Sequence, residues 1–169
     1  MMTAPDVLDV LSLLDGDGLT AWVDGGWGVD ALLGETTRDH GDLDLAVLLP
    51  QLGAVRSALA EAGYGTVLRD WLPTSLALAG HAGREIDLHA LRPTSDGGGD
   101  QALPDGGSFH YPPPVRGTIA GRPVRCIDAD TQVRCHLGYQ PTAKDREDMG
   151  RLRERLGVAL PAPYSSSRV

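Results

Sequence analysis

Cysteine is scarce in this sequence, and its two cysteines follow no metal-binding pattern. Cys126 and Cys135 form neither a Cys-x-x-Cys pair nor another spacing that is typical of metal ligands. We interpret both as small apolar side chains of a protein in a reducing compartment. The sequence therefore gives no support to a cysteine-ligated metal site.

The N-terminal segment lacks the features of a signal peptide, and no apolar run approaches the length of a membrane span. Residues 1–14 contain no basic region and carry Asp6 and Asp9, whereas a signal peptide begins with basic residues. A membrane-spanning helix needs about 20 consecutive, mainly apolar residues. We therefore expect a cytoplasmic protein with no membrane partner.

Positive charge is also in deficit. The formal net charge at pH 7 is −8, and the pI is about 4.9. Affinity for a nucleic-acid backbone comes from Lys and Arg side chains that neutralise phosphates, so we expect no nucleic-acid polymer as a partner. An acidic surface suits a small cationic substrate, although it also simply keeps many proteins soluble.

The length and the apolar content predict one α+β domain with a real core. The chain has 169 residues, of which 41% are hydrophobic. Apolar residues at helical or alternating spacing indicate a mixed sheet with helices packed on one face. The predicted helices cover residues 5–14, 27–33, 52–62, 128–137 and 142–156, and the predicted strands cover residues 19–23, 42–49, 66–69, 75–79 and 84–91.

The segment after the last of these strands changes in composition. Residues 93–114 are rich in glycine and proline and predict a long loop, either a lid or binding loop or a simple surface excursion. Residues 118–127 can form a hairpin that turns at Gly121. We divide the chain into a core (1–92), this loop and hairpin (93–127), C-terminal helices (128–160) and a disordered tail (161–169).

Three aspartates on predicted strands carry the chemistry. Asp42 and Asp44 are two residues apart and therefore point the same way, and Asp87 lies on a later strand. Mg²⁺ prefers such hard oxygen ligands, and two Mg²⁺ ions can stabilise the attacking and leaving oxygens of a phosphoryl transfer. Asp87 can complete a metal's shell or take a proton from an acceptor hydroxyl. The alternative is three solvated carboxylates on exposed strand faces.

A glycine pair precedes the aspartates and adds a phosphate site. Gly25 and Gly26 join a strand to a helix, where backbone amides can approach a triphosphate closely. Alone, this pair is an ordinary strand-to-helix turn, and its combination with Asp-x-Asp favours the functional interpretation. Arg38 can orient the triphosphate or pair with Asp39 on the surface. Lys144 can reach a phosphate or remain a solvated lysine.

Together these residues resemble the nucleotidyltransferase superfamily that includes DNA polymerase β. The segments 24–30 and 38–44 resemble its antibiotic-modifying branch, the lincosamide nucleotidyltransferases and aminoglycoside 2″-adenylyltransferases. The resemblance continues in later segments. These are residues 85–89, 96–101, 109–112, 136–139 and 144–149.

The resemblance implies a fold, a reaction and its ligands. The fold is a mixed sheet that carries the metal site, with a small, mainly helical C-terminal part, often as a homodimer. The reaction transfers a nucleoside monophosphate from ATP or another nucleoside triphosphate, with Mg²⁺, to a hydroxyl of a lincosamide- or aminoglycoside-like antibiotic or natural product. The alternative is a catalytically idle binding protein of the same fold, such as an antitoxin-like or biosynthetic partner.

The same resemblance implies roles for individual residues. Gly25 and Gly26 would hold the triphosphate, and Asp42 and Asp44 would bind metal. Asp87 would be the base or a third metal ligand.

Overall fold

A computed structural model describes residues 1–165. These residues form five α-helices and one mixed sheet of nine strands. The helices are α1 (Ala4–Gly16), α2 (Gly25–Leu33), α3 (Leu52–Glu61), α4 (Ala129–Cys135) and α5 (Ala143–Leu156). The strands are β1 (Ala21–Asp24), β2 (Asp42–Leu48), β3 (Thr66–Trp71), β4 (Ser75–Ala79), β5 (Glu85–Pro93), β6 (Gly99–Ala102), β7 (Ser108–Tyr111), β8 (Val115–Ile119) and β9 (Arg122–Cys126).

The strand order confirms the predicted mixed sheet. The strands lie in the order β3-β4-β5-β2-β1-β9-β8, and the β6–β7 hairpin extends from the end of β5. Strand β2 runs parallel to β5, and β1 runs parallel to β9, whereas all other neighbours are antiparallel. Within residues 1–165 no helix is both long enough and apolar enough to cross a membrane.

One face of the sheet is buried beneath α1, α2 and α3. In β2 the alternate residues Leu43, Leu45 and Val47 are buried in the main hydrophobic core, which also receives side chains from these three helices. The period of two in a strand sends the intervening Asp42 and Asp44 to the opposite face. The predicted alternation of β2 is confirmed, and it leaves Asp42 and Asp44 outside the main core, on the face where Ala46 joins a second hydrophobic cluster.

The last helix begins where its capping sequence predicts. Thr142 accepts a hydrogen bond from the Asp145 amide, and the Asp145 carboxylate accepts one from the Thr142 amide. This reciprocal capping box satisfies backbone donors that the first helical turn leaves free. Helix α5 ends at Gly157, which has a left-handed conformation with φ of 71°.

The predicted loop of residues 93–114 is wrong in its middle part, which forms the β6–β7 hairpin. Here two glycines at and just before the start of β6 allow close packing. A Cβ at Gly98 would overlap the Tyr111 carbonyl oxygen, and one at Gly99 would lie 2.7 Å from the Leu91 Cβ. His110 of β7 then bridges the Asp100 and Asp96 carboxylates at 2.7 and 3.0 Å. Glycine and proline content alone did not reveal this regular pairing.

The following hairpin and the start of the tail are also ordered. The turn between β8 and β9 has positive φ at Ala120 (46°) and Gly121 (78°), as a tight two-residue hairpin turn requires. The predicted hairpin is confirmed. Tyr164, which we expected in a disordered tail, is buried and donates its hydroxyl to the His136 carbonyl at 2.8 Å. The rest of the predicted tail, residues 166–169, lies outside the described residues.

Candidate active site

A row of carboxylates crosses three adjacent strands on the face of the sheet opposite α1, α2 and α3. Asp44 of β2 is the register partner of Asp24 in antiparallel β1 and of Asp87 in parallel β5. Neighbouring strands lie about 4.8 Å apart, so the three Cα atoms are consecutive neighbours. Asp42 lies two residues before Asp44 on the same face and is the register partner of Glu85. The structure therefore brings Asp42, Asp44 and Asp87 to one patch, as the sequence predicts.

Burial and neighbouring like charges raise the pKa of two carboxylates in this patch. Burial raises the pKa of Asp24, and the nearby Asp44 carboxylate raises it further. Although Asp42 reaches solvent, partial desolvation raises its pKa, and the charge of Asp44 adds to this effect. A group of carboxylates that raise one another's pKa is a favourable place for a divalent cation.

Two basic side chains contact the patch in the described structure. The Arg69 guanidinium lies 3.0 Å from the Asp87 carboxylate and 3.6 Å from that of Glu85. The His89 Nε2 lies 3.6 Å from the Asp44 carboxylate. Burial alone would lower the pKa of His89, but the contact with Asp44 and the charges of nearby carboxylates raise it to about 9. The Gln101 amide nitrogen lies 3.1 Å from the other ring nitrogen of His89, so the ring is held between Asp44 and Gln101.

The carboxylates of this patch are suitable ligands for a hard divalent cation, although their side chains do not converge on a single point. Among residues 1–165, no three His, Cys, Asp or Glu side chains form a ready-made metal-binding group. Asp42, Asp44 and Asp87 nevertheless offer oxygen ligands from one face, which is the chemistry that Mg²⁺ requires. Binding would need Asp44 and Asp87 to turn away from His89 and Arg69.

The glycine turn lies against the acidic row. Gly25 has φ of 57°, and a Cβ at this position would overlap the Asp44 carboxylate. Its amide donates to the Asp24 carboxylate at 2.6 Å, so Asp24 caps the N-terminus of α2. Gly26 follows in the first turn of α2, where amide groups and the helix dipole favour an anion. The predicted triphosphate turn thus directly adjoins Asp44.

Arg38 is held beside this turn by a partner that the sequence did not indicate. Its guanidinium binds the Asp148 carboxylate of α5, with an Nη2–Oδ2 distance of 2.7 Å and Nε–oxygen distances of 3.1 and 3.2 Å. It contacts Asp39 only through the backbone carbonyl, at 3.1 Å. A Cβ at Gly26 would lie 2.6 Å from the Arg38 Nη2. Arg38 therefore lies next to the glycine turn, and at the same time it neutralises the buried Asp148 carboxylate.

Lys144 is exposed on α5, one helical turn before Asp148. Residues four apart share a helix face, so Lys144 lies on the face of α5 that Arg38 contacts. Lys144 is thus on the same side of α5 as the contact between Arg38 and Asp148. Its phosphate role stays a prediction.

Several residues near the site were not among the candidate site residues. The buried pair of His40 and Asp30, at 2.6 Å, braces the loop before β2, and the Trp27 ring lies 4.6 Å from the His40 ring. Asp24 was recognisable as the last strand residue before the glycine pair. Arg69 carried no local signal, because it reaches Asp87 across an intervening strand.

With this geometry in place, comparisons with known proteins identify the family. The model of the aminoglycoside-2″-adenylyltransferase family matches residues 6–152. The chain belongs to this family. The prediction of a nucleotidyltransferase enzyme is therefore confirmed, and the idle binding protein is not favoured.

Individual relatives agree with this membership. A lincosamide resistance protein of Staphylococcus haemolyticus is 29% identical over 154 residues, which cover 90% of this chain and 95% of that protein. A 2″-aminoglycoside nucleotidyltransferase of Escherichia coli is 32% identical over 117 residues, which cover 69% of this chain and 63% of that protein. The lincomycin-bound crystal structure of the lincosamide adenylyltransferase LnuA matches with a TM-score of 0.80 and 29% identity, covering 90% of this chain and 97% of that one.

Proposed function

We propose that this protein transfers a nucleoside monophosphate, AMP from ATP, to a hydroxyl of a lincosamide or aminoglycoside antibiotic. The single observation that carries the proposal is the row formed by Asp44 and Asp87 beside the Gly25 turn. It places carboxylates next to a helix N-terminus that can hold phosphates. The names of the relatives supply the class of acceptor.

The metal-binding role falls to Asp42 and Asp44, with Asp87 as an additional ligand or as the base. Bound Mg²⁺ would supply charge stabilisation to the attacking and leaving oxygens. The Gly25 and Gly26 amides would bind phosphate oxygens at the start of α2, and Arg38 and Lys144 would add positive charge on the other side of the turn. Together these residues would hold the triphosphate against the face of the sheet that carries Asp44.

The transfer itself forms one bond and breaks one. The acceptor hydroxyl oxygen attacks the α-phosphorus, the bond from this phosphorus to the bridging oxygen breaks, and pyrophosphate leaves. The hydroxyl proton passes to the Asp87 carboxylate, which lies at the side of Asp44 opposite the glycine turn. Asp87 is therefore placed to meet an acceptor that approaches from β4 and β3.

Mass spectrometry of lincomycin and tobramycin incubated with the protein, ATP and Mg²⁺ tests this function. We expect one antibiotic to gain a single AMP group, and we expect no product with Asp42→Asn. The matched control is Asp9→Asn, an exposed carboxylate on α1, which should leave the yield unchanged. Absence of any modified antibiotic, together with no binding of ATP in the presence of Mg²⁺, would refute the proposal.

Two finer expectations accompany this function. We propose the cytoplasm as its location, because nucleoside triphosphates are available there, and a homodimer as its assembly. Sedimentation of the purified protein tests the assembly, and a monomer at all concentrations would contradict the homodimer.

A further inference from the structure

One carboxylate of α2 holds both ends of the segment that carries Arg38. The Asp30 Oδ1 accepts hydrogen bonds from the Thr37 amide at 3.1 Å and from the Thr37 hydroxyl at 2.6 Å. The Asp30 Oδ2 lies 2.6 Å from the His40 Nε2. An ionised carboxylate only accepts hydrogen bonds, so this ring nitrogen is the donor. Residues 37–40 are therefore attached to α2 at their first and last residue, with Arg38 between the two attachments.

The attachment at His40 is buried and has further support. Asp30 and His40 expose only 2% and 3% of their surface. The His40 ring packs on the Trp27 ring, with 4.6 Å between the ring centres, and the His40 carbonyl accepts a hydrogen bond from the Met2 amide at 2.9 Å. Breaking a buried hydrogen bond leaves an unpaired, desolvated polar group, which is costly. The backbone around Arg38 is thus held firmly in one place.

The same face of α2 carries the glycine turn. Gly26 and Asp30 are four residues apart on this helix and therefore share a face, one helical turn from each other. A Cβ at Gly26 would lie 2.5 Å from the His40 Nδ1 and 2.6 Å from the Arg38 Nη2. The imidazole and the guanidinium thus both lie against Gly26. The segment that Asp30 holds is therefore directly beside the proposed triphosphate site.

Arg38 has a second anchor at the far end of its side chain. Its guanidinium binds the Asp148 carboxylate of α5 at 2.7 Å. The contact with Asp148 alone would fix the guanidinium relative to α5. The attachment of the Arg38 backbone to Asp30 is what fixes it relative to α2 and the Gly26 amide.

We propose that Asp30, Thr37 and His40 are positioning residues, which hold the Arg38 guanidinium beside the phosphate site at the start of α2 before the nucleotide binds. The proposal rests on the function proposed above and adds the residues that prepare its triphosphate site. A charged group that is fixed in advance loses little conformational freedom when it binds an anion, so more of the binding energy is kept. Asp30 and His40 act through Arg38, because they are buried and do not themselves reach the phosphates.

Two adjacent threonines provide a matched pair of variants. Thr37→Val removes the hydroxyl that donates to Asp30 at 2.6 Å and keeps the shape of the side chain, whereas Thr36→Val makes the same change at an exposed neighbour. Calorimetric titration of the full-length protein with a non-hydrolysable ATP analogue and Mg²⁺ measures the affinity. Thr37→Val should weaken binding about fivefold, the size expected for one lost hydrogen bond. Thr36→Val should leave binding unchanged, and equal affinities in the two variants would overturn the proposal.

Substitutions of His40 provide a stronger change and its rescue. His40→Leu removes the nitrogen that donates to Asp30 and should weaken binding of the ATP analogue at least as much as Thr37→Val does. His40→Gln brings an amide nitrogen within reach of Asp30 and should restore most of the affinity. The KM for ATP should follow the same order, while the KM for the antibiotic should not change. Urea denaturation shows whether each variant is folded, and if His40→Leu is not, the two threonine variants decide.

A double-variant cycle separates positioning from general support of the fold. In the background of Arg38→Met with Asp148→Leu, the guanidinium that the segment positions is absent. Thr37→Val should then have no further effect on binding of the ATP analogue, because its effect in the parent protein passes through Arg38. The same loss of affinity in both backgrounds would overturn the proposal, since Thr37 would then support the site without Arg38.

The outcomes separate this inference from the proposed function. Transfer of AMP to an antibiotic, with unchanged affinity for the ATP analogue in Thr37→Val and His40→Leu, would overturn the positioning role and leave the function standing. Weaker binding of the analogue in these variants, and only when Arg38 is present, would support the positioning role. If the parent protein then modified no antibiotic, the same result would contradict the function alone.

Discussion

Asp44 of β2 and Asp87 of β5 lie directly opposite each other in adjacent parallel strands. Two carboxylates in this position repel each other, and the contacts of Asp87 with Arg69 and of Asp44 with His89 balance part of this repulsion. A divalent cation between the carboxylates would perform the same balancing more completely. The register of β2 against β5 thus accounts for two properties. It explains the repulsion between the carboxylates when no metal is bound, and it provides the oxygen ligands for a metal ion.

The first prediction concerns the charge of Asp44. Asp44→Asn should abolish AMP transfer and change the free energy of unfolding by less than about 1 kcal/mol, because the substitution removes a like charge from the row and leaves the core intact. Urea denaturation and the mass-spectrometric assay measure the two effects. A large loss of stability would show that Asp44 supports the structure instead.

Asp87→Asn separates binding from chemistry. We expect ATP and Mg²⁺ to bind almost as tightly as in the parent protein, while kcat falls by at least about 100-fold, the lower range for loss of a general base. Calorimetric titration with a non-hydrolysable ATP analogue and steady-state kinetics provide the measurements. Loss of nucleotide binding in this variant would instead assign Asp87 as an essential metal ligand.

The Gly25 turn predicts a contrast between two glycines that both have positive φ. Gly25→Ala should lose activity, because its Cβ would collide with the Asp44 carboxylate, whereas a Cβ at Gly34 meets nothing within 4 Å. Gly34→Ala should reduce stability by about 1 kcal/mol through left-handed backbone strain alone and retain activity. Equal activities for the two variants would contradict the close packing of Gly25 on Asp44.

The Arg38–Asp148 pair predicts that a second substitution restores the stability that the first one removes. Asp148 is buried, with 3% of its side chain exposed, so Arg38→Met should cost about 3 kcal/mol by leaving its charge poorly balanced. The effect is at the lower end of the expected range because Arg151 still contacts Asp148 at 3.4 Å. Adding Asp148→Leu should restore most of the stability, measured by urea denaturation.

The same double variant tests the phosphate role of Arg38. If Arg38 also holds the triphosphate, the restored fold should still show a raised KM for ATP. An unchanged KM for ATP would limit Arg38 to its contact with α5.

The two thiols, one buried and one partly buried, predict how stability depends on pH. Burial raises the pKa of Cys126 to about 12 and also raises that of Cys135. A group whose pKa is higher in the folded state stabilises the fold below its unfolded pKa and loses this contribution as the pH rises. The free energy of unfolding should therefore fall from about pH 9 upward, the usual pKa of the thiol.

A thiol reagent provides an independent check. Near pH 8 Cys126 of the native protein should react with it only at the rate of unfolding, because this thiol is fully buried and the thiolate is the reactive form. Fast reaction of Cys126 in the folded protein would contradict its burial.

Local pattern predicted much of the fold and the acidic face, while pairing across the chain could not be predicted. The alternation around Asp42 and Asp87 fixed which residues share a face, because the side-chain period of a strand is a local property. The register that makes Asp44 and Asp87 neighbours depends on strand order. Arg38 and Asp148 are 110 residues apart in sequence, and nothing near either residue signals the other.

Small residues explain the remaining differences. Arg69 reaches Asp87 because Ala77 between them has a short side chain, and β6 pairs closely with its neighbours because Gly98 and Gly99 lack a Cβ. In the sequence these residues indicated only a strand and a loop. Their effect appears only when a second segment is packed against them.

The central claim is tested most directly by a crystal structure of the protein with Mg²⁺ and a non-hydrolysable ATP analogue. We predict Mg²⁺ bound to the carboxylates of Asp42 and Asp44, phosphates against the Gly25–Gly26 turn, and Asp87 facing the α-phosphorus. A triphosphate bound elsewhere, or a metal that contacts neither Asp42 nor Asp44, would contradict the account.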